Sequence, residues 1–373
     1  MTVKDEASAS SIAKAPPSER GRAATLNLVR KVWPWVFLLL LIIFFTITSK
    51  QLNDVNFLTT RSIQSILIFT TQILLLALGE TFIIIAAGID LSVGWILGLS
   101  AVVAAMIMQA LFAMGAPPAL TILGGLLGGV AAAVIPGFLN GLLVARIKVP
   151  PFISTLGMGG VVFGAALLLS GGYPVARQPS YLGQLGNGYL LYYWPEHGVS
   201  FFSQPATAQA ADLADMVPLL PNVVVVTLIV LLVCWFILSQ TQFGQHLYAI
   251  GGNLEAAMRA GIPVQRTIIW VYTMAGLLAG IAGCLWAARF TSGAANAGEA
   301  SLLTAIAAVV IGGASLFGGE GTITGTVVGA LIIATIQFGL VILGVLPFWQ
   351  FITVGLVVIL AVIVDQLGRN VGR

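Results

Sequence analysis

The residues able to do chemistry are few, since only 8% of this 373-residue chain is charged. Gly88-Ile-Asp90-Leu-Ser92-Val-Gly94 sets one acid and one hydroxyl between glycines inside apolar sequence. A charged side chain at the bilayer centre costs about 2.5–3.5 kcal/mol on insertion scales, so it is kept only against a cavity or a partner. The flanking glycines predict a broken helix, whose freed backbone groups need a wet or polar lining. Two readings of Asp90 stand side by side. It lines a translocation path with Gly88, Ser92 and Asn140, or it caps free N–H groups where a helix restarts. Glu80 reads as a cap near the inner membrane surface, and Glu299 as loop near the outer face.

A second group lies in Gln242–Arg266, a polar interruption holding His246, Glu255, Arg259 and Arg266 between apolar runs. A mere connection has no need of this length. It reads as a cytoplasmic docking helix, with Glu255 near its start and Gly261 as its C-terminal stop.

No catalytic set emerges. No Lys follows a Gly, so a GxxxxGK[ST] phosphate loop is excluded and the chain has no ATPase motif of its own. HExxH and aspartate-rich DDxxD-type motifs are absent. His197 and His246 lie far apart, with no Cys or carboxylate at ligand spacing. Cys234 and Cys284 sit in apolar runs and read as small buried hydrophobes. The expectation is a non-enzyme with no metal, no directly bound cofactor and no nucleic-acid partner.

Membrane spans must position these groups. The chain is 58% hydrophobic, with a mean hydropathy of +1.03; soluble chains carry about 25% charged residues. At about 20 apolar residues per span, the runs predict an all-α polytopic membrane protein of about ten transmembrane helices, with a broken helix near 80–94. Residues 1–31 read as a disordered cytoplasmic tail and 32–365 as the membrane domain. Within it, 171–216 is an extracytoplasmic loop that holds five of the seven tyrosines with Trp194, Phe201 and Phe202, suited to a short element on the outer membrane surface. The runs 217–238 and 301–317 read as spans. An N-terminus inside puts 12 of the 16 Lys and Arg on the cytoplasmic side, including the 242–266 stretch and the C-terminus.

Small-xxx-small spacings such as Gly137/Gly141 and Gly276/Gly280 predict a compact bundle, because close backbone approach drives helix packing in lipid. Ala86–Gly94 is echoed by Ile311–Gly319, with Gly88 matching Gly313 and Gly94 matching Gly319. Such echoes accompany the inverted repeats of transport folds.

Four stretches carry a family resemblance: ETFIIIAAGIDLSVG (80–94), PGFLNGLLVARIKVPPFISTLGM (136–158), GQHLYAIGGNLEAAMRAGI (244–262) and AIAAVVIGGASLFGGEGTITGTVVGALI (305–332). Over about 60–365 the chain resembles the permease subunits of bacterial ABC sugar importers of the ribose/xylose/galactoside type, relatives of branched-chain amino acid permeases. The resemblance implies a multi-pass protein of the cytoplasmic membrane, surrounded by lipid and paired with a second permease copy. A separate ATPase subunit would use the ATP and dock on 242–266, through Glu255, Ala256, Ala257, Arg259 and Gly261. An extracytoplasmic sugar-binding protein would deliver a monosaccharide or similar small polar solute. The rival reading is an ion-coupled secondary transporter, with Asp90 as its ion site. The long aromatic 171–216 loop departs from a simple ribose-type permease.

Overall fold

The computed structural model describes residues 17–194, 198–201 and 216–370. His197 and Phe202 lie outside them. In lipid every backbone N–H and C=O must pair within the protein, so long apolar runs become helices. These are α1 (Pro17–Asn53), α2 (Thr60–Ile85), α3 (Val93–Ala113), α4 (Pro118–Leu142), α5 (Pro151–Ser170), α7 (Asn222–Gln240), α10 (Val264–Phe290) and α12 (Ile323–Ile342). Each has a stretch long and apolar enough to cross a membrane. Two shorter apolar helices complete the set: α11 (Glu299–Ile311), and the Phe348–Val357 part of α13 (Pro347–Asn370). The ten agree with the number of apolar runs. Helix α1 begins at Pro17, so the second half of the expected disordered tail is helical backbone.

Helix α2 is the axis of the bundle. Its residues from Ile73 to Ile85 are all buried. Helix α1 lies at the rim, with Leu39 and Phe44 more than half exposed, and joins through a Phe45–Phe57–Phe338 ring stack. Helix α10 packs against α2, α3 and α4. Its crossing with α4 is backbone on backbone: a Cβ on Gly137 would stand 2.6 Å from the Tyr272 carbonyl oxygen. The small-residue spacing read from sequence forms this contact. Helix α4 runs on into a π-helical turn, Leu143–Ile147, which ends at left-handed Lys148.

At one end of the bundle, α6 (Ser180–Asn187) and three strands form a cover. The strands β1 (Tyr189–Trp194), β2 (Gly198–Phe201) and β3 (Val217–Pro221) pair antiparallel in the order β2-β1-β3. Leu191 lies opposite Phe201 on one side and Leu220 on the other. The aromatic loop thus contains a small sheet, and its third strand takes residues expected to open a span. That span starts at Asn222.

At the opposite end lie two short helices, α8 (Gln242–Gly252) and α9 (Leu254–Arg259). The expected span 301–317 also stops early. Helix α11 ends at Ile311, and Gly313, Gly318, Gly319 and Gly321 then take positive φ. These conformations are open to glycine and end the helix although the sequence stays apolar.

Candidate functional site

Among the described residues, two breaks in helical structure lie inside the bundle. The first break is 86–92. Helix α2 closes with Ala87 in the left-handed region (φ 63°) and the Gly88 amide donating to the Ile83 carbonyl at 2.9 Å. A Cβ on Gly88 would stand 2.8 Å from the Tyr272 hydroxyl and 3.0 Å from Ile83 Cγ2, so the close approach requires glycine. Asp90 Oδ1 then accepts from the Ser92 amide at 2.7 Å and the Ser92 hydroxyl at 2.5 Å. Asn140 Nδ2 donates to Ser92 Oγ at 2.9 Å, and Ser154 Oγ donates to Asn140 Oδ1 at 3.2 Å. From α5, Thr155 Oγ1 receives the Leu91 amide at 3.1 Å.

The structure therefore gathers Asp90, Ser92 and Asn140 into one hydrogen-bonded chain beside Gly88. Three helices are tied to a non-helical stretch, and α3 restarts at Val93 with Ser92 as N-cap. Asp90, Ser92 and Asn140 are all 0% exposed, so in this conformation they seal the break and line no open channel. Glu80 differs from its expected role. It lies five residues before the end of α2, fully buried, and caps nothing.

The second break, 291–298, lies within Arg289–Ala300, a stretch whose sequence reads as a loop between spans. It starts at Thr291, left-handed at φ 46°, after the end of α10. Gly293 forms a bridge with Val175 and packs on the Ala101 carbonyl. Ala295 packs on Gly98, and Gly298 on Gly94. The segment thus descends along α3 toward the start of that helix. Its depth is fixed by Gln72, which donates to the Ala297 carbonyl at 3.2 Å and to Ser301 Oγ at 2.8 Å. Gln72 is the midpoint of the 26-residue α2, a helix about 39 Å long at 1.5 Å per residue. Helix α11 therefore begins halfway through the bundle. Glu299 in its first turn and Asn296 just before it are exposed at that level. Neither was read from sequence as a path residue. A carboxylate and an amide between Gly and Ala look like loop, and only the Gln72 contact reveals their depth.

Helices α3 and α11 thus begin beside one another, with Gly94 against Gly298, and run to opposite ends. A Cβ on Gly298 would stand 2.2 Å from the Gly94 carbonyl oxygen. One break enters from the α8 end and the other from the sheet end, which is an inverted arrangement. The echoed stretches are a different pair. Ile311–Gly319 lies at the same end as Ala86–Gly94, since the Gly319 amide donates to the Ile85 carbonyl at 2.8 Å.

Helix α8 is seated on the head of the first break and on the glycine turn after α11. A Cβ on Gly251 would stand 1.8 Å from the Ile85 carbonyl oxygen and 2.6 Å from the Gly319 nitrogen. The Tyr248 hydroxyl donates to the Gly321 carbonyl at 2.7 Å, and burial pushes its pKa up to about 12, so it stays a neutral donor. One helix thus touches the last residue of α2, where the first break starts, and the glycine turn after α11. Helix α9 follows. The Asn253 side chain caps it by accepting from the Ala256 amide at 3.0 Å. Gly261 takes φ +76° beyond its end. Glu255, Ala256, Arg259 and Gly261 are exposed, and Ala257 is buried underneath. Glu255 and Arg259 stand 3.7 Å apart, both largely exposed. Such a surface pair adds little stability and leaves both charges open to a partner.

Residues 62–363 match the family model described as branched-chain amino acid transport system / permease component. The chain is 40% identical over 292 residues to the fructose import permease protein of Rhizobium meliloti, covering 78% of this chain and 74% of that protein. It is 36% identical over 356 residues to the ribose import permease protein of Bacillus subtilis, covering 94% and 97%. To the D-allose transport system permease protein of Escherichia coli it is 36% identical over 317 residues, covering 85% and 87%. No solved structure matches the chain.

Proposed function

Because the chain belongs to the permease-component family of the branched-chain amino acid transport system type, with sugar import permeases among its relatives, we propose that it is the transmembrane subunit of an ABC importer, carrying a monosaccharide or similar small polar solute and driven by a separate ATPase. One observation carries the reading. The exposed α9 face continues into α8, which bears directly on the end of α2 and on the turn after α11. A partner gripping Glu255, Ala256, Arg259 and Gly261 thereby holds a lever on the first break and on the turn after α11. ATP is used by that partner and not by this chain.

The α8 end then faces the cytoplasm with both termini, by the distribution of Lys and Arg, and the membrane is the bacterial cytoplasmic one. The sheet end faces outward, where a sugar-binding protein delivers the solute. Two copies of the chain enclose the path. Asn296 and Glu299 line it at mid-depth, because a carboxylate exposed halfway through a bundle is tolerated toward water and not toward lipid. Asp90, Ser92 and Asn140 hold the gate between that level and the cytoplasm.

Charge reversal at Glu255 tests the coupling. Glu255→Lys is expected to abolish co-purification with the ATPase and ATP-dependent uptake, while the permease stays folded. Retention of both activities removes the docking role. Uptake that collapses with an uncoupler while ATP is held constant replaces the proposal with an ion-coupled carrier.

A further inference from the structure

Helices α3 and α5 pack together and both end at the sheet end of the bundle, where their last turns border an open cavity of about 370 Å³. That size lies at the lower end of ligand clefts, which run from about 300 to 1,000 Å³. Met106 and Gln109 line the cavity from α3, Leu169 and Ser170 from α5, and Arg177 from the turn that follows α5. No residue of either break lines it.

The turn is clamped. Val175 and Gly293 exchange two backbone hydrogen bonds, at 2.7 and 3.0 Å. Gln109 Nε2 donates to the Ala176 carbonyl at 3.3 Å, and Gln178 Nε2 donates to the Val175 and Ala176 carbonyls, each at 3.3 Å. Held this way, Arg177 takes the left-handed region, at φ 57°. That conformation is costly for a residue with a Cβ. It persists only where the surroundings impose it, and such places cluster at ligand clamps. The guanidinium presented there is unanswered. Among the described residues Arg177 forms no ion pair and no side-chain hydrogen bond. The sequence has no Asp or Glu from Leu91 to Pro195, a stretch that contains both helices and the turn.

The surroundings are those of a membrane boundary. On α5, Leu168 is 86% exposed and Leu169 49%, and an exposed leucine near the end of a spanning helix meets hydrocarbon. Tyr173, 79% exposed in the turn, suits the headgroup level, where aromatic belts form. The complement of this cavity therefore has two parts: an anion at the level of Arg177 and Ser170, and an apolar body beside Met106 and Leu169. A neutral sugar has neither.

We propose that the cavity binds the headgroup of an anionic phospholipid, with the phosphate on Arg177 beside the Ser170 hydroxyl and the acyl chains along Leu168 and Leu169. The planar guanidinium matches two phosphate oxygens at once. A lipid held there braces the turn that is bridged to Gly293, and so bears on the second break. The site stands whether or not a separate ATPase drives the protein.

The test is native mass spectrometry of the full-length chain, titrated separately with phosphatidylglycerol, phosphatidylethanolamine and inorganic phosphate. The wild type is expected to take up a first phosphatidylglycerol more tightly than phosphatidylethanolamine. Arg177→Gln should weaken that first addition about fivefold or more, fivefold being the contribution of one basic residue beside an anionic lipid surface, and leave phosphatidylethanolamine binding unchanged. Arg177→Gly removes the guanidinium and relaxes the backbone together. Its lipid-free Tm should hold or rise while phosphatidylglycerol binding falls as in Arg177→Gln, which separates lost binding from lost folding. Equal affinity of the wild type for the two lipids overturns the proposal, and that result needs no variant. So does unchanged phosphatidylglycerol binding in both variants. Inorganic phosphate bound as tightly as the lipid overturns it as well, making the cavity a site for a free anion. A lipid-free Arg177→Gln that dissociates from a wild-type dimer does the same, making the cavity a contact between copies.

Discussion

The two breaks are the same device turned over, and they differ in what they do with a carboxylate. At 86–92 the acid faces inward: Asp90 is buried, tied to Ser92 and through it to α4. At 291–298 the acid that follows, Glu299, is exposed at the level of Gln72. The first break touches α8 at Ile85. The second reaches α8 only through the whole of α11 and its glycine turn. The difference separates two kinds of similar backbone: a sealed break in contact with α8, and an exposed polar face halfway through the bundle. Under the proposed function, polar chemistry in this chain is divided between holding the structure shut and meeting a solute, and burial separates the two roles better than residue type does.

Gly298→Val attacks what the breaks share. Its Cβ would lie 2.2 Å from the Gly94 carbonyl oxygen, a backbone atom that has no room to move. Overpacking of a core costs about 1–3 kcal/mol and more where backbone is the obstacle, so loss of monodisperse protein on size exclusion is expected. Ser92→Ala strips the gate of one bond to Asp90 and leaves Asn140 without its acceptor. Buried polar groups left unpaired cost about 1–3 kcal/mol each, and Tm should fall by several degrees. Glu299→Leu acts on the open face alone. Uptake should fall about tenfold, the size of one lost charge-assisted hydrogen bond, with Tm nearly unchanged; a large Tm loss there would erase the contrast between the breaks. Tyr248→Phe removes the single bond to Gly321. It should cost about 1 kcal/mol and weaken ATP-dependent uptake without changing solute preference.

The long helices were legible because the hydrocarbon thickness writes itself into run length. Asp90 was legible because an acid in such a run demands an explanation. Other features were hidden for physical reasons. The strand Val217–Pro221 is apolar and joins Asn222 without interruption, so nothing local separates it from the span. Helix α11 stops at Ile311 because Gly313 takes a left-handed conformation, while hydropathy continues to Phe317. Glu299 was misplaced because depth is a tertiary property, set by the Gln72 side chain more than 200 residues away. Glu80 was misread for the same reason: a carboxylate just after Gly79 suggests the end of a span, whereas α2 runs on to Ile85 and the neighbouring elements bury it.

The meeting of Gly251 with Ile85 and Gly319 involves no side-chain packing from either glycine. Such a joint has almost no compliance. Side chains absorb small displacements by changing rotamer, as rubber bushings do in a linkage, and here that cushion is missing. A shift of α8 by a fraction of an ångström arrives at the head of the first break undiminished. The same stiffness leaves natural variation little to adjust, because any side chain added at Gly251 is larger than the gap it would have to fill.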